Sequence, residues 1–162
     1  MQASHFSPDI LDFIRLLSNH KVRYVIVGGE AVIYYGYPRL TGDVDFFYGK
    51  SDKNINSLFN ALSKFWKGDI PGIKKKSELA KPGYIIQFGI PPNRIDLMNT
   101  IDGVHFEDAW NEKNSEHLSF GGEEVPIYFL SLKHLLINKK LSGRDKDRDD
   151  LSYLENIHPE EP

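Results

Sequence analysis

The first apolar pattern in the chain is helical. Between residues 7 and 20, apolar residues recur every three or four positions, which is the spacing of an amphipathic helix with one buried side. Ser7 is a suitable N-cap for this helix, and Pro8 suits its first turn, where a backbone N–H is not needed. The residues predicted to face the core are Ile10, Phe13, Ile14 and Leu17.

A strand, a pair of glycines and a second helix follow. Residues 24–27 are continuously apolar and predict a short buried strand. Gly28 and Gly29 then predict a tight turn, and residues 30–35 predict a short helix that ends at Gly36. This order matters because a helix that begins after a glycine turn can present its first backbone N–H groups to a phosphate.

The rest of the chain continues to alternate between strands and helices. Residues 41–48 predict a second strand, and the apolar spacing of residues 55–65 predicts a helix behind it. Ser131 and Gly143 suit the cap and the end of a later helix. The other predicted elements are strands 84–88 and 94–98, a short helix at 106–110, a hairpin of 118–120 with 125–128, a helix from 131 to 141 and a last helix from about 147.

These elements predict an α/β (α+β) fold, in which a mixed sheet of short strands carries packed helices. The chain has 162 residues, of which 40% are hydrophobic, and this is enough to bury one core but not two. We therefore expect a single domain over residues 1–162.

The overall charge is close to neutral, with a formal net charge of -3. Such a balance gives no general attraction to nucleic acids or membranes, so an anionic substrate would be held by local groups. The chain contains no cysteine, which excludes disulfides and thiolate metal sites. The sequence shows neither a signal peptide nor an apolar segment of membrane-spanning length, and we expect a cytoplasmic protein without membrane contacts.

Three aspartates are the best candidates for chemistry. Asp43 and Asp45 lie two positions apart in a predicted strand, so their side chains point to one face with Cα atoms roughly 7 Å apart. Asp96 lies in the middle of another predicted strand, where Ile95 and Leu97 face the opposite side. If the three carboxylates meet, a bound cation relieves their repulsion, which predicts an acidic metal cleft at one edge of the sheet.

The cations that suit such a cluster are Mg²⁺ and Mn²⁺, because hard divalent ions prefer carboxylate oxygens. In phosphoryl or nucleotidyl transfer, such an ion neutralises the phosphates and lowers the pKa of the attacking hydroxyl. The glycine pair supplies a second part of the site. Gly28 and Gly29 lack Cβ atoms and allow a phosphate to approach the backbone closely.

Three separated segments resemble motifs of the nucleotidyltransferase superfamily that includes DNA polymerase beta. They are Gly28-Gly29-Glu30-Ala31, then Arg39-Leu40-Thr41-Gly42-Asp43-Val44-Asp45, and then Arg94-Ile95-Asp96-Leu97. Within the superfamily, the likeness is strongest to the nucleotidyltransferase-like domains of bacterial abortive-infection and toxin–antitoxin systems, which share a late pattern. Here that pattern consists of Lys139, Gly143-Arg144, Lys146-Asp147 and Asp150-Leu151. The motifs occur in the family's order over residues 22–155, which is more specific than any single motif.

The resemblance implies a role for each position. Asp43, Asp45 and Asp96 would bind Mg²⁺ or Mn²⁺, and Asp96 would also activate the acceptor hydroxyl. The donor, a nucleoside triphosphate (NTP), would be bound by Gly28, Gly29, Arg39, Thr41 and Lys139. Independently of the resemblance, Lys139 continues the apolar side of its helix, so its stem should run along the core with the ammonium group at one edge.

The activity implied by the resemblance is transfer of a nucleoside monophosphate (NMP) from an NTP to a hydroxyl acceptor, with release of pyrophosphate. The acceptor stays open between an RNA such as the 3′ end of a tRNA, a protein side chain and a small molecule. Larger members of the superfamily carry a helical acceptor-binding domain, so here a partner protein or a homodimer would supply that surface. The alternatives are a catalytically silent module of the same fold, acting as an antitoxin or toxin partner, and a structural Ca²⁺ site.

Each of these residues also has a structural interpretation. The glycine pair is commonly only a turn, and Asp43 and Asp45 could be solvent-facing charges on an edge strand. Asp96 could form an ion pair with Arg94 or Arg39. Arg39 could neutralise the aspartates instead of binding phosphate, and Lys139 could stabilise the C-terminus of a helix.

One further segment suits a structural role, and another departs from the pattern of the family. Arg144, Lys146, Asp147 and Asp150 are interpreted as capping and charge pairing at a helix junction. Related small nucleotidyltransferases have a serine after the glycine and then an arginine-glycine pair. Here Glu30 follows the glycines and places an anion beside the proposed phosphate site.

Overall fold

A computed structural model describes residues 1–160, and residues 161 and 162 of the predicted domain lie outside the described residues. The strands are β1 (Tyr24–Val27), β2 (Asp43–Tyr48), β3 (Ile85–Phe88), β4 (Arg94–Met98), β5 (Asn114–Phe120) and β6 (Glu123–Phe129). The helices are α1 (Pro8–Asn19), α2 (Gly28–Tyr34), α3 (Asp52–Phe65), α4 (Phe106–Asn111), α5 (Leu132–Ser142) and α6 (Asp145–Ile157), with short 3-10 turns at Ala3–His5 and Lys76–Ala80. The predicted α/β (α+β) class is confirmed.

One mixed sheet organises the described residues, with the strand order β3-β4-β2-β1-β6-β5. β2 pairs antiparallel with β1 and parallel with β4, so it is an inner strand. The predicted hairpin of β3 and β4 is confirmed. The second hairpin, of β5 and β6, is longer than predicted because most of β5 is polar and exposed, and an edge strand of this kind shows little apolar alternation.

Alternation along the strands gives the sheet two apolar faces. On the first face, Ile26 of β1 and Phe46 of β2 pack with apolar residues of α1 and α3. On the second face, Val27 of β1 and Phe47 of β2 pack with residues of α2, α4, α5 and α6. The helices therefore cover the sheet from both sides.

Local capping residues set the helix ends as predicted. The Ser7 hydroxyl accepts a hydrogen bond from the Ile10 N–H at 3.3 Å, and Ser131 caps α5 in the same way. Gly143 ends α5 in the left-handed conformation, with φ of 62°. The last helix, α6, begins at Asp145, two residues before the predicted start near 147.

The segment between α3 and β3 is fixed to the sheet by Asn99. Its buried amide donates hydrogen bonds to the carbonyls of Leu79 at 3.0 Å and Lys81 at 2.7 Å. Its side-chain oxygen accepts a hydrogen bond from the Gly83 N–H at 2.9 Å. Three bonds from one residue position β3, which forms a wall of the site described below.

The first apolar face depends on Phe46, which is 0% exposed. Its ring contacts those of Phe13 and Tyr24 edge to face, with centroids 5.2 and 5.3 Å away. We expect the Phe46→Ala variant to lose about 3–5 kcal/mol of unfolding free energy, because the lost contacts leave a cavity. Urea denaturation followed by far-UV circular dichroism measures this loss.

The matched control for this prediction is Leu40→Ala, because Leu40 is 95% exposed. Its unfolding free energy should stay within about 0.5 kcal/mol of the wild-type value. Equal unfolding midpoints for the two variants would show that the first face does not hold the sheet together.

Candidate active site

The parallel pairing of β2 with β4 brings the three predicted acids together. Asp45 lies opposite Asp96 in the register, and Asp43 lies opposite Arg94. Carboxylate oxygens of Asp43, Asp45 and Asp96 lie within 4.8 Å of one another. Because β2 and β4 are inner strands, the cluster lies over the middle of the sheet and not at its edge, where it was predicted. The interpretation of Asp43 and Asp45 as edge-strand charges is excluded for the same reason.

Arg94 bridges two of the three acids. Its Nη2 donates a hydrogen bond to Oδ2 of Asp43 at 2.6 Å, and its Nε donates to Oδ1 of Asp96 at 2.9 Å. The other oxygen of Asp96 accepts from Nη2 of Arg94 and from Nε2 of Gln87, both at 3.2 Å. Oδ1 of Asp43 accepts from the hydroxyl of Thr41 at 3.1 Å. Both oxygens of Asp43 and of Asp96 are thus already bonded to donors within the protein.

Asp45 has a different environment. No basic side chain among residues 1–160 lies within ion-pair distance of its carboxylate. Burial first, and then the charges of Asp43 and Asp96, raise the pKa of Asp45 to about 7. Lys139 acts in the opposite direction but does not outweigh these effects. Asp45 is therefore the carboxylate of the cluster whose charge is least compensated.

The glycine pair lies against the acids without an intervening loop. Strand β1 ends at Val27 and α2 begins at Gly28, so the glycines form the first turn of the helix and not a separate turn as predicted. Gly28 has φ of +63°, and a Cβ on it would overlap Oδ2 of Asp45. A Cβ on Gly29 would lie 2.6 Å from Oγ1 of Thr41. Both positions therefore require glycine for packing against β2 and the segment before it, whatever else they bind.

Glu30 does not line the cleft that contains the acids. It is 7% exposed, and its Oε2 lies 2.6 Å from Nε2 of His5. Burial raises the pKa of Glu30, while the hydrogen bond and charge of His5 lower it, and the net shift is upward. The anion expected beside the phosphate site is thus turned toward the N-terminal segment.

Arg39 and Thr41 reach the site indirectly. Arg39 Nε and Nη2 donate to the two oxygens of Asp150 at 2.8 and 2.9 Å, which is a bidentate ion pair. The guanidinium group packs beside Gly29 and lies outside the cleft lining. Thr41 contacts Asp43 and lies outside the lining as well. The structure therefore connects Arg39 to α6 rather than to the three acids.

A buried network of charges joins α5 to α6 beside the cleft. Lys139 is 3% exposed, and its Nζ lies 3.0 Å from Asp147 and 2.9 Å from Asp150. Burial alone would raise the pKa of Asp147, but hydrogen bonds from Arg144, Lys139 and Ser142 outweigh it and hold this pKa well below its usual range. The predicted charge pairing at the helix junction is present for Arg144, Asp147 and Asp150, whereas Lys146 lines the cleft.

Asp147 also caps α6. Its Oδ2 accepts a hydrogen bond from the backbone N–H of Arg144 at 3.3 Å and from Nε of the same residue at 2.7 Å. This bond explains why α6 begins two residues earlier than predicted. Arg144 and Lys146 also line the cleft, although their residue pattern favoured a structural role at the helix junction.

The cleft between the sheet and the α5–α6 junction has a volume of about 610 Å³, which is in the range of small-molecule sites. Its polar lining consists of Gly28, Gly29, Asp43, Asp45, Asp96, Arg94, Lys139, Arg144 and Lys146, together with Gln87, Thr100, Asp102, Asn138 and Ser142. Its apolar wall consists of Val27, Ile85, Met98 and Ile101. The unpredicted polar residues come from separate elements and share no motif. Gln87 lies in β3, Thr100 and Asp102 follow β4, and Asn138 and Ser142 lie in α5.

The donor set fits a hard divalent cation. Three carboxylates offer only oxygen ligands, and these are close enough to share one or two ions. A cation bound there would also oppose the burial and the repulsion that together raise the pKa of Asp45. The three carboxylates could therefore hold a divalent cation such as Mg²⁺ or Mn²⁺.

Several solved structures share the fold at low sequence identity. TM1012 from Thermotoga maritima, a candidate nucleotidyltransferase, is 17% identical with a TM-score of 0.57, and the match covers 97% of this chain and 96% of that one. JHP933 from Helicobacter pylori is 17% identical with a TM-score of 0.53, covering 98% of this chain and 68% of that one. A candidate nucleotidyltransferase from the same species is 16% identical with a TM-score of 0.50, covering 94% and 67%. At these identities the likeness shows the fold alone.

The sequence comparisons agree with the fold. None of the curated proteins matches the chain. No helix within residues 1–160 is long and apolar enough to cross a membrane. Residues 8–157 match the profile of a family described as nucleotidyltransferase of unknown function, and this range includes the glycine pair, the three acids and Lys139. The resemblance to nucleotidyltransferases is thereby confirmed, and the chain belongs to this family of nucleotidyltransferases, DUF6036.

Proposed function

We propose that this protein transfers an NMP from an NTP to a hydroxyl acceptor in a reaction that depends on Mg²⁺ or Mn²⁺. The observation that carries the proposal is the convergence of Asp43, Asp45 and Asp96 on paired inner strands. Crowding three acids without full compensation is costly, and a metal-dependent reaction gives a reason for that cost. The glycine turn and the basic residues of the same cleft suit the phosphates of the donor.

In the proposed reaction, the acceptor oxygen forms a bond to the α-phosphorus of the NTP. The bond between this phosphorus and the bridging oxygen breaks, and pyrophosphate leaves. When bound, the divalent cation neutralises the phosphates and lowers the pKa of the attacking hydroxyl. Asp43, Asp45 and Asp96 would hold the cation, and Asp96 would also orient the acceptor hydroxyl and accept its proton. The remaining catalysis is alignment of donor and acceptor in the cleft.

The other predicted site residues form two groups: some line the cleft, and others contact residues that form the site. Gly28 and Gly29 line the cleft directly, where the first backbone N–H groups of α2 suit phosphate oxygens. Lys139 also lines the cleft, where its positive charge faces the phosphates while Asp147 and Asp150 hold its position. Arg39 acts through Asp150 and Thr41 through Asp43, so we propose that both position other groups of the site.

The proposed reaction defines its acceptor only as a molecule that carries a hydroxyl group. An RNA 3′ end, a protein side chain and a small molecule each carry a hydroxyl that suits the reaction. A partner protein or a second copy of the chain supplies the acceptor surface in our proposal, in a toxin–antitoxin or phage-defence setting. We place the reaction in the cytoplasm, because NTPs are supplied there.

A second candidate function is a catalytically silent module that works through protein contacts. The observation that favours it is the bridge from Arg94 to Asp43 and Asp96, which compensates two of the three acids without a metal. Calorimetric titration separates the two functions. The enzyme binds Mg²⁺ together with an NTP, whereas the silent module shows no metal-dependent nucleotide binding.

Loss of one metal ligand should abolish transfer while the fold is retained. In a cell extract with Mg²⁺ and α-³²P-labelled NTPs, we expect the Asp43→Asn variant to transfer label at least about a hundredfold more slowly than wild type, because it binds the cation poorly. Asp69→Asn, at an exposed loop position, is the matched control and should transfer label at the wild-type rate. Equal labelling by wild type and Asp43→Asn would remove the proposed chemistry.

Loss of the least compensated charge should stabilise the metal-free protein at alkaline pH. Asp45 has a pKa of about 7 in the folded protein against an ordinary value of 3.8. The folded state thus binds this proton more tightly than the unfolded state, and stability falls as pH rises between these two values. At pH 8, the Tm of the Asp45→Asn variant should exceed that of wild type by at least about 2 °C, the shift given by about 1 kcal/mol in a domain of this size.

Thermal unfolding in a chelator tests this expectation, and the difference in Tm should narrow as the pH is lowered to 5. Mg²⁺ should raise the Tm of wild type at pH 8 and have little effect on the variant. A metal-free variant that is less stable than wild type at pH 8 would show that Asp45 is compensated by another group.

A further inference from the structure

Arg94 occupies the position in the cleft where a metal ion would meet Asp43 and Asp96. It lies two residues before Asp96 on β4, and the register of β2 and β4 places it directly opposite Asp43. One guanidinium group therefore contacts carboxylates on two strands, at 2.6 Å and 2.9 Å. The contact is a consequence of the sheet pairing and does not depend on a flexible loop.

The oxygens that a metal needs are already used by this contact. Arg94 and Gln87 together bond both oxygens of Asp96, and Arg94 and Thr41 bond both oxygens of Asp43. A divalent cation beside the same oxygens repels the guanidinium, since the two positive charges lie in a partly buried site of low dielectric. Full coordination of a metal and the complete Arg94 bridge therefore exclude each other, because both use the same oxygens of Asp43 and Asp96.

We propose that Arg94 is an internal counter-ion that holds the metal ligands together before the cation binds and then exchanges its carboxylates for the phosphates of the donor. This inference rests on the proposed function and assigns a metal-linked positioning role to a residue outside the three acids. Arg94 competes with the metal for Asp43 and Asp96, whereas Asp45 has no ion-pair partner among residues 1–160 and can bind the cation before Arg94 moves.

After its release from the acids, the guanidinium group could bind a phosphate of the donor in the same cleft. The Arg94 side chain is 32% exposed and lines the cleft together with the glycine turn. Its planar set of N–H donors matches two oxygens of a phosphate as well as it matches a carboxylate. Metal and NTP binding are therefore coupled, because each favours the state in which Arg94 has left the acids.

Metal affinity gives the first test, with Mn²⁺ alone as the probe. Isothermal titration and the Mn²⁺ paramagnetic resonance signal report binding without any turnover. We expect the Arg94→Gln variant to bind Mn²⁺ with a Kd about tenfold lower than wild type, because the competing cation is gone. A gain in affinity is a result that simple structural damage does not produce.

Two further variants make the test specific. Arg94→Lys keeps the charge but loses the fork that spans both acids, and its Kd should lie between those of wild type and Arg94→Gln. Arg148→Gln removes a positive charge from an exposed side chain of α6 that pairs with Asp145, and its Kd should equal the wild-type value. If Arg94→Gln fails to fold, Arg94→Lys alone still decides, because a Kd equal to or above wild type overturns the proposal.

The outcomes separate this inference from the proposed function. Tighter Mn²⁺ binding by Arg94→Gln supports both. If wild type binds Mn²⁺ and Arg94→Gln binds it with an equal or higher Kd, the inference is overturned and the proposed function stands. Absence of Mn²⁺ binding by both proteins overturns the proposed function and the inference together.

Nucleotide affinity tests the second half of the exchange. With Mn²⁺ at a concentration that saturates both proteins, ATP should bind Arg94→Gln about tenfold more weakly than wild type, because one phosphate ligand is missing. The expected pair of changes has opposite signs, tighter for the metal and weaker for the nucleotide. An unchanged ATP Kd in Arg94→Gln would show that Arg94 does not bind a phosphate of the donor. The separate Mn²⁺ titration tests whether Arg94 competes with the metal for the acids.

Discussion

The parallel register of β2 and β4 is the constraint on which the site depends. It places Asp45 opposite Asp96 and Asp43 opposite Arg94, and a shift of one residue would turn Asp96 toward the first apolar face. The register is held in place because Ile95 and Leu97 are buried on that face with α1 and α3. The burial of ordinary apolar side chains on one side of the sheet therefore fixes the geometry of the acids on the other.

Charge compensation divides the site into two parts that behave differently. At the α5–α6 junction, each carboxylate contacts two basic side chains and is compensated without a ligand. Asp147 pairs with Lys139 and Arg144, and Asp150 pairs with Lys139 and Arg39. At the cluster of three acids, Arg94 compensates Asp43 and Asp96 only in part, and Asp45 has no close cation among residues 1–160. A compensated junction beside an incompletely compensated cluster is the arrangement from which we propose binding of a cation and an anionic nucleotide in one cleft.

Many features of this arrangement were readable from sequence because they depend on neighbours in the chain. Ser7 and Ser131 cap helices, Gly143 ends one, and the period of two in β2 puts Asp43 and Asp45 on one face. Asp96 was a candidate because it lies in the middle of a strand between Ile95 and Leu97, and the family motifs then supported it. The start of α6 and the length of β5 were predicted less accurately. A side-chain cap sets the start of α6, and β5 is a polar edge strand with little apolar alternation.

The sequence by itself determined the elements, the two acids that share a face, the glycines that allow close packing, and the family. Only the tertiary structure decided that β4 pairs with β2 in the middle of the sheet, that Arg39 turns to Asp150, and that Arg94 bridges Asp43 and Asp96. The physical reason is the range of the interactions. Capping and alternation act over two to four residues, whereas strand order, register and ion pairing join residues 51 and 111 positions apart, and these depend on how the whole core packs.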